Sequence, residues 1–194
     1  SITLAIGTNQ GSGTLSGTKV VSASSGLATF AGLSINKAAT GYTLTASATS
    51  RTVATSTTFN ITAGAAAAIA VNAGNGQSAT AGSAVATAPS VVVTDANGNP
   101  KQGVSVTFAV DSGGGIVDPI SSVSTDASGV AAVTSWTLGA TAGANSLTAT
   151  SAGLTGSPIT FTATGSVGPA AKVVFTTQPS SSTVAGVAFS TQPV

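Results

Sequence analysis

Few residues in this chain could do chemistry. Its four acidic residues are all aspartates (Asp95, Asp111, Asp118 and Asp126), and it has no histidine, cysteine, methionine or glutamate. That inventory removes the usual nucleophile–base pairs and most transition-metal ligand sets. One spacing stands out. Asp95-x-Asn97-x-Asn99 places three oxygen-bearing side chains as the first three ligands of a calcium loop do. The pattern then breaks, with Pro100 at the place of the required glycine and Val106 at that of the bidentate glutamate. We read Asp95, Asn97 and Asn99 as a turn, where Asp and Asn close local bonds. Calcium is the alternative, and no other cofactor is expected.

Asp111 and Asp118 flank Gly113-Gly114-Gly115. A glycosidase pair needs a cleft and a set separation of its carboxylates, so solvated loop residues are the plainer reading. The glycine triplet is followed by neither lysine nor helix, which excludes a phosphate loop and leaves a flexible connection between strands. Trp136 aligns with Leu33, 103 positions earlier. An aromatic matched by an aliphatic is expected in a core rather than stacked on a sugar. Lys37 and Lys101 are expected as solvated turn lysines, since a side-chain amide cross-link would need a buried acid beside them. Asn60-Ile61-Thr62 fits a glycosylation acceptor, a weak pattern. No catalytic residue is expected, and the chain is read as a non-enzyme.

The elements carrying these residues have a period of two. Val104, Val106, Phe108 and Val110 alternate with Ser105, Thr107 and Ala109; Ile159, Phe161 and Ala163 alternate with Thr160, Thr162 and Thr164. Such runs are half-buried strands with threonine on the wet face. Turn signals separate them, as at Asp95–Pro100, Asp126–Gly129 and Ser24–Gly26. The alanine run before Ile69 is read as a linker leading into a strand. Charged residues make up only 5% of the chain, against about 25% in ordinary proteins. A net charge of +1 leaves no footprint for nucleic acid, and no run is long enough to insert in a membrane as a helix. Strand faces of Ser, Thr, Ala and Gly lack the lysines that usually protect sheet edges. Such a surface favours packing against copies of itself.

The sequence also repeats. Ser1–Ile6 matches Ser105–Val110, 104 positions later, and Ala81-Gly82 matches Ala185-Gly186 at the same offset. A fixed period of this size marks units strung in an array. We expect three units: 1–62, the later strands of one domain; 63–166, one complete domain of about seven strands; and 167–194, the first strands of a further domain. The chain starts without Met or a leader segment, and a processed product or fragment is expected. Between the last unit and the first, the counterpart of Val91–Val104 is missing, about 14 positions of the period. Either the chain is an excerpt from a longer array, or strand exchange between copies fills the gap.

Val91–Pro100 followed by Gly103–Phe108 resembles the bacterial immunoglobulin-like repeat of invasin- and intimin-type adhesins. Thr125–Ala131 resembles that family's second signature turn, and Asn145–Thr150 its penultimate strand. Gly41-Tyr42-Thr43-Leu44 is similar to the tyrosine corner of immunoglobulin-like sandwiches; Asn145 takes that place in the complete repeat, so the device is expected in the first copy alone. The resemblance implies tandem β-sandwiches that act mostly as spacers on a bacterial surface or outside the cell. The expected function is a structural repeat of a fibre, stalk or surface layer, with copies of itself as partners, head-to-tail. The alternative is an adhesin or carbohydrate-binding module that contacts host or surface glycans through Trp136 or the Gly113–Gly115 loop.

Overall fold

The computed structural model describes residues 1–194 and contains strands and no helix; no helix is long and apolar enough to cross a membrane. Residues 1–62 form β1 (Ile2–Ile6), β2 (Leu15–Ser16), β3 (Val20–Val21), β4 (Ser34–Ile35), β5 (Ala39–Tyr42), β6 (Leu44–Ser47), β7 (Ala54–Thr55) and β8 (Phe59–Ile61). Residues 63–166 form β9 (Ala66–Ala73), β10 (Gln77–Thr80), β11 (Ser90–Asp95), β12 (Ser105–Ser112), β13 (Gly115–Asp118), β14 (Val123–Ser124), β15 (Val130–Ala132), β16 (Ser135–Leu138), β17 (Gly143–Thr150) and β18 (Ile159–Ser166). The last group has ten strands rather than about seven, because short pieces such as β14 and β15 pair locally beside the long strands.

The second group is a sandwich. One sheet runs β10-β18-β17-β12-β14, the other β15-β11-β9, and β13 pairs with β16 as a separate ribbon. The expected alternation holds on β12, where Val106 and Phe108 are buried while Ser105, Thr107 and Ala109 are exposed. It holds on β18, where Phe161 and Ala163 are buried and the three threonines exposed. Val91 and Val93 of β11 face them across the core, as a central apolar strand must. The core cluster of 15 buried residues lies wholly between Ile69 and Ala163. Trp136 is fully buried within it, in agreement with a core role.

The alanine run is a correction. Ala66–Ala68 belong to the eight-residue strand β9 rather than to a linker leading into it, because six residues of β11 pair with β9 antiparallel. Ladder bonds and burial against β11 outweigh the low strand propensity of alanine. The Gly113–Gly115 connection is tight rather than loose. A Cβ on Gly115, at φ +90°, would collide with the carbonyl oxygen of Thr137 on β16, so β13 meets β16 there on bare backbone.

Residues 1–62 reproduce half of this sandwich. Their sheet order β3-β1-β6-β7 repeats β14-β12-β17-β18, and the β2–β4 pair repeats β13–β16. No counterpart of β9-β11 covers the inner face. Leu4 and Leu44 are therefore only half-buried, whereas the matching Phe108 and Leu147 are buried. Residues 167–194 contain no strand, contrary to the expected first strands of a further domain. The segment instead folds back on itself, with Val194 N–H donating to Thr177 O at 3.2 Å and Ser180 N–H to Thr191 O at 3.2 Å.

Candidate functional site

The turn flagged in the sequence lies at the junction of the two sheet systems. Asp95 ends β11 with its side chain buried. Its Oδ1 accepts the backbone N–H groups of Asn97 (2.8 Å) and Asn99 (2.9 Å). Its Oδ2 accepts Gly64 N–H (2.9 Å) and the Asn99 side-chain Nδ2–H (2.9 Å). Burial pushes the carboxyl up, but the bond from the Asn99 side chain and the three backbone N–H bonds outweigh it, leaving it well below the usual carboxylate range. Four N–H donors thus face the two oxygens. A cation site needs the opposite polarity, lone pairs converging on one point.

Asn99 reaches across the junction. Its Oδ1 accepts Ala38 N–H at 3.0 Å, and its Nδ2 donates to Asn36 O at 3.0 Å. Lys37 Nζ donates to Asn97 O at 2.7 Å. On the connecting segment, Lys101 Nζ donates to Ala63 O at 3.3 Å while Gly64 is held by Asp95. Both lysines the sequence marked as solvated therefore bond backbone carbonyls. Beside this clasp lies an open cleft of about 580 Å³, with Thr40, Ile61, Thr62, Pro100, Lys101 and Gln102 among its lining residues.

The loop that receives the clasp is itself built by the tyrosine corner. Tyr42 is fully buried, and its hydroxyl donates to Lys37 O at 3.0 Å. That bond fixes residues 36–38 for Asn99. The tyrosine itself occurs only in the first copy, and in the complete repeat Asn145 ties down the matching loop without one. Its Oδ1 accepts Gly139 N–H at 3.0 Å and its Nδ2 donates to Gly143 O at 3.1 Å. An amide reaches a shorter distance than a phenol, but it ties down the matching loop from the matching position.

Other candidates are placed differently. Asp126 closes its own turn, its Oδ1 accepting Ser128 N–H (2.8 Å) and Val130 N–H (2.9 Å). Asp111 Oδ2 accepts the Ser146 hydroxyl at 2.8 Å on an exposed face. Asp118 lies at the end of β13, paired with Ser135. Trp136 sits on a strand inside the core rather than in a loop, so its ring faces no solvent.

The chain superposes on FdeC, an Escherichia coli adhesin, with a TM-score of 0.52 and 18% identity over 86% of its length. The fold is that of bacterial immunoglobulin-like adhesin domains. The immunoglobulin-like repeats here span 52% of the FdeC chain. The D0-D1 domain of intimin matches 84% of this chain and 77% of its own at 19% identity, with a TM-score of 0.37. A glycosyl hydrolase family 2 member from Bacteroides cellulosilyticus matches 66% of this chain and 19% of its own at 17% identity, with a TM-score of 0.41. No family model and no curated protein matches the sequence.

Proposed function

We propose that this chain is a non-catalytic structural repeat of an extracellular bacterial fibre, stalk or surface layer, joined head-to-tail with copies of itself. The observation that carries this reading is the clasp. Asp95 orients Asn99 within its own unit, and Asn99 directs its remaining polar atoms at fixing one immunoglobulin-like unit against the next, not at a solvent-facing pocket. Two hydrogen bonds from one buried amide, plus a lysine bond beside it, set both the direction and the twist of the joint. A linker held in this way transmits force and keeps units in line, whereas a loose one lets each unit swing.

The adhesin fold fits this role, with the repeats read as spacers at the cell surface. Asp95, Asn97 and Asn99 are read as a clasp rather than a calcium loop, because N–H donors occupy both carboxylate oxygens. The glycan-binding alternative draws no support from Trp136, whose ring is enclosed. The inner face of residues 1–62 is the second feature of the reading. It is apolar, and Leu15, Leu33, Ile35, Leu44, Phe59 and Ile61 line an open groove of about 180 Å³ there. The test is negative-stain electron microscopy of the purified chain at neutral pH across a range of concentrations. Linear polymers with an axial repeat of one or two domains support the proposal. Single compact particles at every concentration contradict the head-to-tail part.

A further inference from the structure

Inside the complete repeat, one long strand is covered along only part of its outer edge. β14 pairs with β12 at Ser105 and Val106 and goes no further. On its other side β12 pairs with β17 from Thr107 onward, with a bulge between Val110 and Ser112. Backbone bonds in an antiparallel strand point alternately to the two sides. Val104 points outward, since its N–H donates to Thr125 Oγ1 and its carbonyl accepts Thr125 N–H, both at 2.9 Å. Phe108 and Val110 share that direction, and no bond outside the strand ladders reaches either of them. At the matching place in the first unit, Leu4 N–H donates to Lys19 O at 2.8 Å.

The open edge borders an apolar groove. Phe108, Ala109, Val110, Ile116, Val117 and Ile120 line about 350 Å³ of it, and no charged side chain does. Val117 is buried, but Ile116 is 67% and Ile120 81% exposed. On β18 the outward positions hold threonine, so isoleucine on the wet side of β13 stands apart. Lysine is the usual guard of a sheet edge, yet no lysine or arginine lies between Gln102 and Ala171. Unpaired backbone, exposed isoleucines and an unguarded edge coincide at one place.

We infer that this edge pairs two copies of the chain side by side, β12 against β12, antiparallel about a two-fold axis at Ala109. Phe108 of each copy then sits opposite Val110 of the other. Each such pair exchanges two N–H···O bonds, so every open backbone group at these two residues finds a partner. The open stretch suits a copy of itself. β14 closes the edge up to Val106 and the bulge turns the strand after Val110, which leaves a short segment whose outward groups lie evenly about Ala109. An axis normal to the sheet keeps Phe108 and Val110 on the core side in both copies. It also brings Ile116 and Ile120 of one groove over those of the other, so a single self-complementary contact closes both. A strand from another protein would meet the same backbone groups but close one groove only. Asp111, next along the strand, is held on the wet face by the Ser146 hydroxyl. The contact is lateral and stands apart from the head-to-tail joint: it would tie two arrays running in opposite directions.

The chain has no cysteine, so every disulfide formed is assignable. In the proposed register Ala109 faces its own copy with Cα atoms about 4.5 Å apart, within disulfide reach. Thr107 lies on the same strand and face and is equally exposed, but its two copies stand roughly 13 Å apart. Under gentle oxidation the Ala109→Cys chain should form disulfide dimers at least about tenfold faster than the Thr107→Cys chain. Adding Ile120→Lys to the Ala109→Cys chain should bring the rate down to the Thr107→Cys level, with an unchanged melting temperature showing that the exposed substitution leaves the fold intact. Equal rates for the two cysteine chains overturn the inference and leave the edge to a strand of another protein. A fast rate that Ile120→Lys does not slow overturns it too, since the grooves would then not meet. Linear polymers seen by microscopy together with equal rates would leave the head-to-tail reading standing and remove only this lateral contact.

Discussion

Asn99→Ala is the sharpest perturbation of the clasp. The Asn99 side chain is buried and makes three hydrogen bonds, to Asp95 Oδ2 inside its own unit and to Ala38 N–H and Asn36 O in the other. The bond to the carboxylate is charge-assisted and its loss costs about 2 kcal/mol. Asn36 is exposed and rehydrates, while Ala38 is half-buried; losing both cross-junction bonds costs roughly 1–2 kcal/mol of joint stability. Two effects should therefore separate. The 63–166 unit should melt roughly 10 °C lower, at about 4–8 °C per kcal/mol for a domain of this size. The joint should open about tenfold more often, which small-angle scattering reads as a broader distribution of end-to-end distances. Asn97→Ala is the matched control, since only the backbone of Asn97 enters the network. In a calcium loop both asparagines would act as ligands and both substitutions would weaken binding. Equal damage from the two substitutions, or a melting point of the unaltered chain that rises with added calcium, would refute the clasp.

Three further predictions follow from the same structure. Asp95 has a folded-state pKa below its unfolded value, so it adds stability that is fully present above about pH 4 and is lost as pH falls further; the urea midpoint of the 63–166 unit should drop in that window, and Asp95→Ala should remove that part of the dependence. Gly115→Ala should destabilise that unit by about 2 kcal/mol or more in chemical denaturation, because the new methyl group meets the Thr137 carbonyl at a positive φ. Tyr42→Phe should cost about 1 kcal/mol and Asn145→Ala about 2 kcal/mol, the second more because it strips partners from both Gly139 and Gly143. Amide exchange should show that each frees its own loop, 36–38 or 139–143.

Much of the sandwich could be read from the sequence because alternation and burial have the same origin. Thr160, Thr162 and Thr164 mark the wet face of β18 as surely as Phe161 and Ala163 mark its dry one. The repeat offset likewise carried the sheet order of residues 63–166 onto residues 1–62. Ala66–Ala68 could not be read this way, since alanine has no strand preference of its own and its place is decided by β11, more than twenty residues away. The clasp was half visible. The spacing Asp95-x-Asn97-x-Asn99 marked a turn rich in acceptors, but spacing does not say whether those acceptors meet a cation or N–H groups. That depends on Gly64, Asn36 and Ala38, which fold brings together from three stretches of chain. Asn145 was missed as a loop anchor because the signal sought was a tyrosine; the position mattered, and a buried side chain able to reach the loop was the requirement.

The central claim is that two immunoglobulin-like units are held as one body by the Asn99 clasp. Residual dipolar couplings measured on the whole chain test it most directly. A single alignment tensor that fits the amides of both 1–62 and 63–166, and splits into two in the Asn99→Ala chain, is the expected result. Two independent tensors in the unaltered chain would contradict it.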